Sequence, residues 1–264
     1  MSLQPNFITY QQPESGFAKA RFRAFVVGSN GKYVTYQELQ ANTNLPVAFC
    51  SMTNNVALDL AMRYKLDYYY LDSGYFGNIK QKVYLRLTKN ACQNHHMMID
   101  RPRDRLDILT IDETTISQGN SVLIVPPDDK VCLRYGLGSP AAWISETVSK
   151  IKANTDRPIR IRNRPKSRED RVRYNTFLDE LRNDVYVVVT YISNCAVEAV
   201  LHGIPAICLG PGATIQVYPT GIKDLDSLPK LNLDLVDLLK RHLSYAQFTN
   251  QELLSGFAWQ TVNE

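Results

Sequence analysis

The sequence predicts an α/β protein built as two halves, each a sheet of parallel strands wrapped by helices. Three observations predict it. Short β-branched and aromatic runs alternate with stretches of helical periodicity along the whole chain. The order strand–helix–strand recurs in both halves, which calls for right-handed crossovers between parallel strands. At 264 residues the chain exceeds one small core and suits two units.

In the first half, residues 21–29 (RFRAFVVGS) read as an opening strand that closes in the glycine turn Gly28-Ser29-Asn30-Gly31. Residues 33–41 read as a short helix. Val47–Cys50 is an apolar strand, and the polar run behind it leads through Asn54 or Asn55 as a cap into a helix over 56–63. Asp67–Asp72 is a third strand, opening into Ser73-Gly74-Tyr75-Phe76-Gly77-Asn78. Residues 83–88 alternate apolar and polar as a half-exposed strand does. Asn94–Asp104 is polar and carries His95, His96, Arg101 and Arg103, as a loop or linker would.

In the second half, Ser121–Val125 is a strand closed by Pro126-Pro127-Asp128-Asp129. Trp143–Ala153 is a helix whose Trp143, Ile144, Thr147, Val148 and Ile151 share a face. Pro158–Arg162 is a short strand and Asn175–Arg182 a helix. Val185–Thr190 is a wholly apolar strand, as expected of a sheet covered on both faces. A helix over Cys195–Leu201, stopped by Gly203, and a strand over Pro205–Leu209 follow. Helical stretches at 233–243 and 250–254 end the chain.

The composition excludes several classes. No run of eighteen apolar residues exists, so no helix spans a membrane and no membrane partner is expected. The first residues, MSLQPNFITYQQPE, have neither the basic start nor the apolar core of a signal peptide. The five cysteines are scattered and form no CxxC, which reads as reduced, mostly buried thiols rather than a zinc site or a disulfide framework. The net charge is +4 but uneven, with ten Lys/Arg against three acids between Lys150 and Arg173. That stretch serves either as a solvated helix face or as an anion-binding surface.

Three constellations could carry chemistry. In VYVVVTYISNCAVEAVLHGIPAICLGPGAT (185–214) a buried strand delivers Ser193 and Asn194 to the start of a helix, where free N–H groups suit a phosphate. Glu198, one turn on, can accept from ribose or sugar hydroxyls, and Gly210-Pro211-Gly212 follows the next strand at the same carboxyl edge. An ordinary αβ unit capped by Ser or Asn has the same pattern. Arg160 and Arg162 share one face of a strand, with Arg164 and Lys166 beyond its end, an arrangement suited to phosphates or to plain surface charge. Asp72 ends a strand before a glycine-aromatic loop, where it could take a proton from an acceptor hydroxyl or simply start a turn at Gly74. His95 and His96 are adjacent, a poor spacing for joint metal ligation. Gly28-Ser29-Asn30-Gly31-Lys32 lacks the spacing of a P-loop.

Several ordered blocks give a further reading: LDSGYFG (71–77), YLRLTKNACQ (84–93), VLIVPPDD (122–129), TDRPIRIRNRPK (155–166), TYISNCAVEAVLHGIPAICLGPGA (190–213) and LSYAQFTNQELLSGFAW (243–259). In this order the chain resembles a family of tailed-bacteriophage proteins akin to GT-B glycosyltransferases, and more distantly bacterial capsule-polysaccharide enzymes. The resemblance implies two Rossmann-like domains facing each other across a cleft, in a minimal GT-B arrangement. It implies an acceptor-side domain over 1–110, a sugar-nucleotide domain over 111–232, and C-terminal helices over 233–264 packing back across the domains. It implies no tightly bound metal. Asp224-Leu225-Asp226 has the letters of a DxD motif but sits in a late loop rather than at a strand end.

The function expected is transfer of a sugar from a nucleoside-diphosphate sugar, a UDP-sugar foremost, to a hydroxyl. Phage context points to 5-hydroxymethylated pyrimidine in double-stranded DNA, in the host cytoplasm. Asp72 and Glu198 are the candidate catalytic carboxylates. Arg162, Lys166, Ser193, Asn194, Glu198, Gly210, Pro211 and Gly212 are the donor-binding candidates. Gly28, Asn30, Tyr75, Phe76, Arg86, His95 and His96 are the acceptor-binding candidates. Two alternatives stay open: a glycosyltransferase acting on a polysaccharide or small molecule, and a non-catalytic nucleotide- or DNA-binding protein.

Overall fold

The computed structural model describes residues 4–10, 17–50, 56–76, 83–109, 111–112, 114–162, 176–219 and 221–264. The chain forms two compact units. One comprises Met1–Asn94, Pro102–Thr110 and His242–Glu264; the other comprises His95–Arg101 and Ile111–Arg241.

The first unit is built on a six-stranded sheet. Its strands are β1 (Ile8–Tyr10), β2 (Lys32–Val34), β3 (Val47–Cys50), β4 (Tyr68–Ser73), β5 (Leu85–Lys89) and β10 (Gln247–Phe248), in the order β10-β5-β4-β3-β1-β2. β1 to β4 pair in parallel, but β5 runs antiparallel to β4 and β10 antiparallel to β5. The all-parallel expectation fails here for a reason of length. Only residues 74–84 separate β4 from β5, fewer than the dozen or more that a parallel crossover needs.

A second correction concerns residues 21–29. They are not a strand but lie mostly in helix α1 (Phe17–Gly28). The chain buries Phe25, Val26 and Ser29 while Val27 is 60% exposed, a 3.6-residue pattern rather than alternation. The apolar run misleads because its β-branched and aromatic letters fit a strand while their spacing fits a helix face. The opening strand is instead β1, just after the fully buried Phe7. That ring stacks on Phe25 at 5.1 Å and meets Tyr69 and Trp259 at 5.8 and 5.5 Å, an aromatic centre for the unit.

Helices α2 (Tyr36–Gln40) and α3 (Val56–Tyr64) follow, the first closed by a capping box between Thr35 and Glu38. The C-terminal residues complete this unit. The end of α9 (Leu233–Ser244) leads into β10 at the sheet edge, then α10 (Asn250–Leu254) and α11 (Phe257–Asn263) pack on α1. Gly28 lies so close to α10 that a Cβ there would stand 2.2 Å from the Leu253 carbonyl oxygen. Arg105, in the one-turn helix α4 (Asp104–Asp107), holds the segment down. It donates to the carbonyls of Ser244 (3.0 Å) and Gln247 (2.9 Å), pairs with Glu252 and lies over the rings of Phe248 and Phe257. β10 and α11 are short elements that the sequence reading lacked.

The second unit carries a four-stranded, wholly parallel sheet in the order β7-β6-β8-β9: β6 (Ser121–Val125), β7 (Ile159–Ile161), β8 (Val185–Thr190) and β9 (Ala206–Cys208). Between β6 and β7 lie α5 (Asp129–Tyr135) and α6 (Pro140–Lys152). α6 buries Trp143 and Ile151 with Val122, Ile124, Val187, Val189 and Ile207 of the sheet. α7 (Phe177–Arg182) and α8 (Cys195–Leu201) pack against β8. Gly203, at φ +84, turns the chain out of α8 and into β9. Because the chain steps from β6 outward to β7 and then back past β6 to β8, the loops leaving β6 and β8 part to opposite faces. Such a reversal opens a crevice at the carboxyl ends of the strands.

Candidate functional site

The carboxyl edge of the second sheet is laced together by the Thr190 hydroxyl and by the main chain. Thr190 Oγ1 donates to the Val125 carbonyl at 2.7 Å, tying the end of β8 to that of β6. Leu209 N donates to Thr190 O (2.8 Å) and Gly210 N to Tyr191 O (3.0 Å), tying β9 to β8. Ser193 Oγ accepts from Cys195 N at 3.2 Å and so caps α8. Asn194 has helical angles and makes no capping bond with its side chain. Gly210 and Gly212 are required by close packing, since a Cβ would meet Tyr191 Cζ at 2.6 Å and Cys208 Sγ at 2.4 Å respectively. Pro211 stands between them. Ser193, Asn194 and Gly210–Gly212 are therefore brought to one edge.

Arg162 follows β7 directly, its N–H donating to Ile124 O at 2.9 Å and its guanidinium lying 5.0 Å over the Phe177 ring. Burial pushes the half-buried Glu198 carboxyl above its ordinary value, and the charges of His202 and Arg162 pull it part of the way back. Arg162 and Glu198 thus share one electrostatic neighbourhood. Lys166 and Arg164 lie outside the described residues. Arg160 is engaged elsewhere, pairing with Glu180 at 2.8 Å and donating to the Asn183 carbonyl, so it ties β7 to α7.

His202 was not singled out by the sequence reading. It is buried, and its Nδ1–H donates to the Thr114 carbonyl at 2.7 Å, which fixes its tautomer. Its place four residues after Glu198 on one helix was the signal that could have found it. Tyr135 and Tyr191 were missed as well. Their half-buried rings meet edge to face at 5.2 Å, beside Gly210. A glycine just past a strand end marks a close approach of this kind.

In the first unit Asp72 and Arg86 sit opposite each other on β4 and β5. Asp72 Oδ2 accepts from Arg86 Nη2 (3.1 Å) and from the Tyr70 hydroxyl (2.6 Å), and Oδ1 from Ser73 N (2.7 Å). Gly74 N–H goes to Tyr84 O, so Asp72 is not the starter of that turn. Burial opposes the charge on Arg86, but Asp72 and the Tyr70 and Tyr75 hydroxyls more than restore it and hold the guanidinium above its ordinary value. Burial likewise pushes up the Tyr70 phenol, with Asp72 adding to it, and the Tyr75 phenol.

Tyr75 and Phe76 are buried rather than displayed. Their N–H groups donate to Gln247 Oε1 at 2.7 and 3.2 Å, and the Tyr75 hydroxyl accepts from Asn94 N at 2.8 Å. Gly28 lies at a helix end, not in a loop. Asn30, at φ +50, donates through Nδ2 to Gln4 O at 3.1 Å. His95 and His96 belong to the second unit, their rings 4.4 Å apart. Among the described residues no group of three or more His, Cys, Asp or Glu stands ready to hold a metal ion, and no helix is long and apolar enough to cross a membrane. A hollow of about 550 Å³ lies at the opposite edge of the second sheet, lined by Lys152, Thr155, Asp156, Arg157, Pro158 and Ile159. Its Arg157 already donates to Asn120 and covers the Tyr186 ring at 3.6 Å.

Two solved structures from Thermosulfurimonas dismutans share this architecture along nearly its whole length. One is a KpsC beta-Kdo 2,4 transferase, with TM-score 0.51 and 12% identity over 91% of each chain. The other is a KpsC beta-Kdo 2,7 transferase, with TM-score 0.53 and 11% identity over 98% of this chain and 99% of that one. The fold is of the GT-B glycosyltransferase type. No protein-family model and no curated protein sequence matches the chain. The fold thus agrees with the paired Rossmann-like domains that the sequence blocks implied, whereas neither comparison bears on a phage origin.

Proposed function

We propose that the chain is a glycosyltransferase that moves a sugar from a nucleotide-activated donor to a hydroxyl acceptor. The likeness to two transferases over at least 91% of the chain carries this reading. The donor would sit at the carboxyl edge of the second sheet. There the main chain around Ser193 and Asn194 and the Arg162 guanidinium would face the phosphate, and Lys166 is a further candidate by its place in the sequence. Glu198 would accept from ribose or sugar hydroxyls. Negative charge grows on the leaving phosphate as the glycosidic bond breaks, so a cation already held in place lowers the barrier. In the first unit Asp72 would receive the acceptor hydroxyl, fixed for that task by Arg86, Tyr70 and Ser73.

For the acceptor, a carbohydrate hydroxyl is the favoured reading, because both structural neighbours are Kdo transferases. The hydroxymethylated pyrimidine of phage DNA gains no support from the comparisons. A UDP-sugar remains the donor to try first. The test is a mass measurement after incubating the protein with a panel of nucleotide sugars and two acceptors, a hydroxymethylated duplex and an oligosaccharide. Addition of a sugar mass to the oligosaccharide is expected. Addition to the duplex alone would replace the acceptor assignment. Failure to bind any nucleotide sugar would overturn the whole reading.

A further inference from the structure

We infer that Tyr191, braced by Tyr135, is the platform on which the donor's nucleobase stacks; this rests on the donor site proposed above.

The strand order reverses between β6 and β8, so their departing loops separate and leave a crevice at the carboxyl edge. Tyr191 is the first residue after β8. Tyr135 ends α5, the first element after β6. One ring comes from each of the diverging excursions, and they meet at 5.2 Å with planes at 64°. The two rings therefore meet across the carboxyl edge and form one continuous aromatic surface there.

The rings are also held in place. Gly136, at φ +65, ends α5 in the left-handed conformation, and its N–H donates to Cys132 O, which fixes the main chain next to Tyr135. Gly210 N–H donates to Tyr191 O, and only a glycine lets the β9 loop come so near the Tyr191 ring. Both rings remain half-buried, each keeping surface toward solvent. The Tyr191 ring packs on the sheet core along one side and keeps the rest of its surface at the edge beside Ser193 and Asn194. Its geometry suits a planar heterocycle whose phosphate lies toward Ser193 and Asn194. At 5.2 Å the two rings touch, so the base lies against their outer surface rather than between them.

The test is calorimetric binding of UDP, CDP, ADP, GDP and CMP, with ribose 5-phosphate as the base-free control, to the full chain and to Tyr191→Leu, Tyr191→Phe and Tyr135→Leu. Leucine keeps bulk over Gly210 and removes the aromatic face. The expected result is a loss of about tenfold or more in nucleotide affinity for Tyr191→Leu. Ribose 5-phosphate binding should not change, Tyr191→Phe should stay near the parent, and Tyr135→Leu should fall between. Nucleotide binding unchanged in Tyr191→Leu overturns the platform and leaves the donor site standing. Equal loss for nucleotide and ribose phosphate also overturns it, since that marks a structural role. If the parent chain binds none of the nucleotides, the donor site falls and the platform falls with it.

Discussion

Asp72 and Arg86 face each other across β4 and β5 with 3.1 Å between Oδ2 and Nη2, yet their surroundings differ sharply: the arginine side chain is 5% exposed and the aspartate 40%. The two partners are therefore unequal to remove. Asp72→Ala removes the counter-charge of a buried guanidinium and should cost about 3 kcal/mol. Arg86→Met fills the buried space with apolar atoms and leaves a carboxylate that water can reach, so it should cost about 1–2 kcal/mol. Denaturant unfolding of the two variants reads the difference, and equal costs would refute the asymmetry.

Arg162→Ala should lower turnover at saturating donor by roughly 100-fold, the scale for losing one preorganised charge on a leaving group. A change confined to the donor KM would show that Arg162 binds the ground state and the transition state alike.

Glu198 gives a pH signature. Its carboxyl is raised in the folded state, so the folded chain binds more protons than the unfolded chain just above the ordinary value of 4.5. That contribution to stability is fully present below 4.5 and is lost as pH rises through the folded value. Glu198→Gln removes the titration. Its stability relative to the parent should improve between acid and neutral pH, measured as unfolding free energy across that range, while transfer activity falls. A constant offset at every pH would show that Glu198 does not titrate differently on folding.

Gly28→Ala should destabilise the first unit by about 2–3 kcal/mol, because the new methyl would have to push the backbone of α10 away from α1. Thermal unfolding would show it, and a neutral substitution would mean that the helix pair can slide apart freely.

Much of the second unit was legible in advance. The apolar run 185–190 and the Ser-Asn and Gly-Pro-Gly segments around it encode a buried parallel strand and its edge with local signals alone. The first unit was harder. Phe22, Phe25 and Val26 have strand-like identities and helix-like spacing, and identity prevailed over spacing in the reading of α1. Its true opening strand is only three residues long. Nothing local announces that Gln247 will hold Tyr75 and Phe76, since that partnership spans about 170 residues. Likewise Asp72 could be placed at a strand end, but its pairing with Arg86 depends on the register of two strands, which the sequence states nowhere.

β10 has a consequence for synthesis on the ribosome. The strand that covers β5 is formed by Gln247–Phe248, and the chain from Ile111 to Arg241 must be made before it. During that interval the nascent first unit carries β5 as a bare strand edge, the kind of surface that invites pairing with other chains. Maturation of the first unit therefore waits on residues translated after the second, and Arg105, long since emerged, is the latch that receives them.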